Sequence, residues 1–226
     1  MLKYSISTLL YLSKINIKDT IQNALKLHNN IDIRLTITIK DKDGKIIKYH
    51  KQHSHSFVAN FLNSLAESFA QVTISNNNNI FSCVLTNGSS DYVWSNFSVN
   101  GPNGNDTYGI VIGTGTKTPT PSDFKLGNQI TNGTGNGQMV YNAMSFNPSS
   151  GTVTISGNTS YIQITRTFQN QSGASITVTE TGIIGQMYDI SGAIQYALMI
   201  HDLLSSSITV PNLSILQITY TISITT

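Results

Sequence analysis

Apolar residues occupy every second position through long stretches of this chain, and that two-residue period is its dominant signal. Ile31, Ile33, Leu35, Ile37 and Ile39 alternate with Asp32, Arg34, Thr36, Thr38 and Lys40. Near the C-terminus Leu216, Ile218, Tyr220, Ile222 and Ile224 alternate with Gln217, Thr219, Thr221 and Ser223. Successive strand side chains point to opposite faces, so each segment predicts a strand with one buried and one wet face. A third region, from Tyr161 to Gly182, predicts a β-hairpin. Ile162, Ile164 and Phe168 share one face of its first strand, Ile176 and Val178 share one face of its second, and Asn170-Gln171-Ser172-Gly173 supplies the turn. Further strands are expected at 45–50, 80–85, 92–99, 108–112, 139–146, 152–155, 196–200 and 207–210, separated by turn signals such as Asp41 to Gly44, Asn87-Gly88, Gly101 to Gly104 and Pro148 to Gly151.

The period becomes helical twice. Ile17, Ile21, Ala24, Leu25 and Leu27 predict a short helix to about His28. Phe57, Val58, Phe61, Leu62, Leu65 and Phe69 form an apolar stripe that predicts a second helix at about 56–69, laid over one end or edge of the sheet. The whole pattern reads as a mainly β protein, an antiparallel β-sandwich of jelly-roll or immunoglobulin-like type. Residues 1–30 read as an N-terminal arm with a short helix for assembly, and 31–226 as a single β-sandwich domain.

The hairpin carries two exceptions to its own pattern. Arg166 and Glu180 both fall where the alternation points inward, and a turn centred near Ser172 places them opposite each other, which predicts a buried ion pair with Asp202 as a second acceptor for Arg166. A lone inward charge would cost about 3–5 kcal/mol, so two opposite charges within reach favour pairing.

Composition bounds the rest. Charged residues make up only 11% of the chain, fewer than catalytic proteins usually carry. The net charge of +2 hides an asymmetry: residues 1–51 hold ten Lys and Arg against four Asp, and the remainder holds three against seven acids. A basic arm on a mildly acidic, hydroxyl-rich body points to an arm that faces a neighbouring subunit or another negative surface. The cations lie within apolar alternation and lack interleaved aromatics, so specific nucleic-acid binding is not implied. Cys83, the single cysteine, lies in an apolar run and reads as a small core residue. No run has the 18 apolar residues a transmembrane helix needs. The opening MLKYSISTLLYLSKINIK lacks a small-residue cleavage site and reads as an arm rather than a leader.

Candidate chemistry is thin. Gly109-Ile-Val-Ile-Gly113-Thr-Gly115 has alternating glycines after a strand, but Thr118-Pro119-Thr120-Pro121 stops the helix whose N-terminal amides a phosphate loop requires. His50, His53 and His55 lack a Cys or carboxylate to complete a metal set, and His201-Asp202 lacks a nucleophile elbow. The expectation is therefore a protein that is not an enzyme, without catalytic residues, cofactor or metal. Asn-x-Ser/Thr at Asn87, Asn105, Asn132, Asn158 and Asn170 offers candidate glycosylation sites in turns, and Asn96 and Asn212 carry the same triplet. Trp94, Tyr92 and Tyr108 are the candidates for a glycan-contacting groove, the feature a surface adhesin, pilin-like subunit or carbohydrate-binding module would need.

Several motifs together resemble those of virion structural proteins: Ile110-Val-Ile-Gly-Thr-Gly-Thr116, Pro121-Ser-Asp-Phe-Lys-Leu126, Arg166-x-Phe168-x-Asn170-x-x-Gly173 and Ile176-x-Val178-x-Glu180-x-Gly182, with Ser56-Phe-Val-x-Asn-Phe-Leu62 and Leu216-x-Ile218-x-Tyr220-x-Ile222 at the flanks. The pattern is similar to turret or vertex proteins of icosahedral archaeal viruses and related thermophile phage tail or spike proteins. The chain departs from it at His201-Asp202 and Pro211-Asn212. The resemblance implies a jelly-roll module located in the virion, which multimerises, with a pentamer as one candidate form, docks other capsid proteins through its arm and shows a surface to a host glycan or receptor. A hydrolase or metal enzyme is the least favoured reading.

Overall fold

The computed structural model describes residues 30–54, 56–70, 80–149 and 152–226; the expected arm helix lies outside the described residues, as does His55. The protein is mainly β, with antiparallel sheets and, among the described residues, one helix.

The larger sheet contains the two most regular alternations as neighbours. Strand β1 (Asn30–Lys40) pairs along its length with β12 (Ile215–Thr225), and β12 with β9 (Thr159–Gln169). The hairpin partner β2 (Ile46–His53) forms one edge, reached through the Asp41 to Lys45 turn. Three short strands, β6 (Val140–Tyr141), β7 (Ser145–Asn147) and β8 (Thr154–Ser156), pair in succession along the far side of β9. The second sheet has the order β11-β10-β5, from Ile194–Val210, Ile176–Tyr188 and Gly109–Gly113. A separate hairpin, β3 (Ile80–Val84) with β4 (Ser90–Trp94), completes the strands.

The inward residues of both sheets form one core. Ile33, Leu35, Ile37 and Ile39 from β1 and Leu216, Ile218 and Tyr220 from β12 join Val178, Ile183, Leu198, Ile208 and Val210 from the second sheet, all at most 4% exposed. Two sheets sharing a core in this way have the arrangement of a β-sandwich.

Two expectations need correction. Tyr161 to Gly182 is not a hairpin: β9 belongs to the larger sheet and β10 to the other, so the Asn170 to Ala174 connection crosses between sheets. Asn170 holds this crossing. Its side-chain amide donates to the carbonyls of Ala174 and Val210 at 2.8 Å, and its Oδ1 accepts from the Ser172 backbone and hydroxyl. A short polar loop with a Gly at φ 84° serves a tight hairpin and such an arch equally well, so local turn chemistry did not distinguish them.

The second correction concerns helix α1 (Ala59–Ala70), present where the stripe placed it but rotated. Its buried face is polar: Asn60 bridges Val84 in β3 and Leu198 in β11, and Ser64 donates to the Ser95 carbonyl. Glu67 is also buried. Half of the apolar stripe faces outward, with Leu62 56%, Leu65 38% and Phe69 81% exposed, while Phe57, Val58 and Phe61 pack on the core. The side-chain bonds of Asn60 fix the rotation, because turning the helix would strand strand-end carbonyls in the interior.

Candidate functional site

The charges expected to pair are both fully buried, but they belong to different networks. A register shift interrupts the β10–β11 pairing between Val178↔Ile208 and Glu180↔Leu203, leaving Thr179 opposite the unpaired residues 204–207 of a bulge in β11. Past that bulge the parity of the strand reverses. Thr181 now reaches Tyr220 of the larger sheet while donating to the Val111 carbonyl of β5 in its own sheet, and Glu180 turns to the opposite side beneath the 114–128 loop.

There the Glu180 carboxylate accepts three backbone N–H bonds, from Gly115 and Asn128 at 2.8 Å and Gly127 at 2.9 Å. His201, 1% exposed, lies between two acids: its Nε2 is 3.0 Å from Glu180 Oε2 and its Nδ1 is 2.8 Å from Asp123 Oδ2. Asp123 also accepts from the Thr120 amide and hydroxyl and from Lys117 at the surface. Burial alone would raise the Glu180 pKa, but the bonds from His201 and the three amides outweigh it and hold the carboxyl below its usual range. Asp123 is likewise lowered to about 2 against the effect of burial, through Thr120, His201 and Lys117. Burial pulls His201 down, yet both carboxylates together raise it. An imidazolium flanked by carboxylates donates at both ring nitrogens, and so it has no lone pair to serve as a general base.

The alternating glycines therefore cradle an anion, and the anion is the protein's own. A methyl group on Gly113 or Gly115 would collide with the Glu180 carboxylate. Gly115→Ala is accordingly expected to lower stability by about 1–3 kcal/mol, read as a shift in the denaturation midpoint, and an unchanged midpoint would refute the cradle. A pocket of about 330 Å³ opens beside the cluster, lined by Lys117, Ser122, Asp123, Phe124, Leu126 and His201 among others.

Arg166 forms no ion pair among the described residues. Its five N–H groups are all spent on backbone carbonyls: Nε on Asn142 at 2.7 Å, Nη1 on Tyr108 and Ile110, and Nη2 on Pro102 and Asn105. The guanidinium also lies 4.8 Å from the Tyr141 ring centroid. Burial lowers its pKa to about 10, with Tyr141, Asp106 and Tyr108 acting against the shift. Carbonyl dipoles and a ring face replace the expected carboxylate. The third expected partner, Asp202, accepts from Ser54 at 2.7 Å and from Tyr220 at 3.0 Å. Burial and that charge push the Tyr220 hydroxyl well above its ordinary pKa.

The remaining candidates do not converge. Tyr92 is exposed opposite Ser82, Trp94 is half-buried opposite Ile80, and Tyr108 stacks on Tyr196 at 5.9 Å; neither a ring contact nor a hydrogen bond joins the three. His50 bonds Gln52 and Ser205 while His53 bonds Asp32, on opposite faces of β2, and no cluster of three potential metal ligands occurs among the described residues. Cys83 is buried, its thiol pushed up to about 12 by burial and then by Asp91. Of the sequons, Asn87 and Asn158 are exposed and Asn105 and Asn132 are half-buried turn anchors. Asn170 is wholly buried with its amide engaged, which removes it as an acceptor of sugar.

Asp123 was the functional-looking residue missing from the sequence reading. The signal lay in Thr120-Pro-Ser-Asp123, a turn whose acid reaches back to the first residue's amide. Comparison with known protein families, with curated protein sequences and with solved structures gives no match.

Proposed function

We propose that this protein is a virion structural subunit, a building block of a vertex, turret, spike or tail, whose sandwich follows a jelly-roll plan and works by multimerising. The observation that carries this reading is α1. A helix that buries Asn60, Ser64 and Glu67 while exposing Leu62, Leu65 and Phe69 at helical spacing has an apolar stripe suited to a second copy of the chain. Exposed Ile46, Ile47 and Tyr49 on edge strand β2 add a second surface of the same kind. The saturated ionic groups favour a scaffold over an enzyme, since His201 and Arg166 each commit all their polar atoms to neighbours.

Light scattering on the purified full chain tests the proposal. A stable multimer is expected, together with its loss in Leu62→Ser/Leu65→Ser/Phe69→Ser at an unchanged melting temperature. A wild-type chain that stays monomeric at high concentration would refute it.

A further inference from the structure

The register of the larger sheet places a polar lattice on its outer face. Across β2, β1, β12 and β9 the rows run His53, Arg34, Thr221, Gln163, then Lys51, Thr36, Thr219, Thr165, then Tyr49, Thr38, Gln217, Thr167. A further row carries Asp32, Ser223 and Tyr161. Strand geometry spaces these positions by about 4.8 Å between strands and about 6.8 Å along each strand. Cross-strand bonds tie the lattice together, among them Thr165 to Thr219 at 2.9 Å and Gln163 to Thr221 at 3.3 Å. The face is hollowed into an open cleft of about 440 Å³, lined by Asp32, Arg34, Lys51, Tyr161, Gln163 and Thr221 among others. That volume lies within the range of ligand clefts.

We infer that this cleft binds an acidic oligosaccharide. Arg34 uses only Nε, on Asp32 at 2.6 Å, and its two terminal nitrogens have no partner among the described residues. They present the planar fork that grips a carboxylate or sulfate with two bonds. Lys51 likewise has no ion pair or hydrogen bond among the described residues. Two cations against the single carboxylate Asp32, which His53 also contacts, leave the cleft net positive. Beyond this charged end the lining is hydroxyl and amide, groups that match sugar hydroxyls one for one, and Tyr161 supplies a ring against which a pyranose face can lie. A nucleic-acid strand is less well served, because it needs a track of cations and several stacking rings. A second copy is also less well served, since a two-fold contact would bring Arg34 and Lys51 toward their own equivalents.

Calorimetric titration of the full chain with a short oligogalacturonate, a neutral maltooligosaccharide and a single-stranded DNA oligomer tests the assignment. Saturable binding of the uronate is expected, with weaker binding of the neutral sugar. Arg34→Gln should weaken the uronate about tenfold or more, Tyr161→Ala should weaken both sugars, and Arg34→Lys should recover only part of the loss. Arg34 and Tyr161 lie outside the core, so unchanged melting temperatures will separate binding from folding. The inference is overturned by absent uronate binding, by DNA binding of equal strength, or by self-association that Arg34→Gln abolishes. It rests on β1, β2, β9 and β12, and the assembly reading rests chiefly on α1, so each can fail without the other.

Discussion

Glu180→Gln is expected to cost about 3–5 kcal/mol of folding stability near roughly pH 6, measured by chemical denaturation. The carboxylate meets four donors: the amides of Gly115, Gly127 and Asn128, and the His201 imidazolium. A carboxamide of the same shape has one accepting oxygen and turns its NH₂ toward donors that already point at it. His201 would keep Asp123 but lose half of its compensation in a buried site. The pH profile supplies a second readout. Glu180 and Asp123 have lowered pKa values, so their contribution is present above the ordinary carboxylate range and is lost as pH falls through the folded values, about 2 for Asp123. His201 has a raised pKa, so its contribution is complete below its ordinary value of about 6.5 and is lost as pH rises through the folded one. The cluster is therefore strongest between those limits, and Glu180→Gln should flatten both flanks. A loss below about 1 kcal/mol with an unaltered profile would show that the cluster is not a keystone.

The strands were legible because alternation over ten residues admits little else. The β1 and β12 alternations reappear as adjacent strands in full register. The burial of Arg166 and Glu180 was also legible, since each breaks an apolar alternation and each is 0% exposed. Their partners were not. The irregularity at Thr179, set against residues 204–207 of β11, turns Glu180 to the other side of the sheet, and no local propensity in β10 marks it. The glycine run was read as a close-packed loop rather than an anion site because no helix follows it, and a carboxylate some 65 positions later in the chain is invisible to a search for nearby ligands. The helix stripe misled for a related reason. Periodicity reports which residues share a face, and only tertiary hydrogen bonds decide which face is buried.

Arg166→Met is expected to destabilise by about 3–5 kcal/mol, because it withdraws the guanidinium donors from the carbonyls of Pro102, Asn105, Tyr108, Ile110 and Asn142 together, of which Pro102 keeps the Asn105 amide. Removing a buried charge recovers some desolvation energy, yet methionine donates to none of these acceptors. Arg166→Lys should fare little better, since three donors on a flexible stem cannot satisfy five acceptors arranged around a planar fork. The decisive measurement is a double-mutant cycle with Glu180→Leu. If the two charges formed one ion pair, removing both would restore much of what either removal costs, and the coupling would reach roughly 2–3 kcal/mol. In the observed arrangement the five acceptors of Arg166 and the four donors of Glu180 share no group. The losses should then add to within about 0.5 kcal/mol, and a larger favourable coupling would return the two residues to a single pair. Additivity would mean that the sandwich is pinned twice: a cation gathers the 100–110 segment onto β9, and an anion gathers the 114–128 loop onto β10.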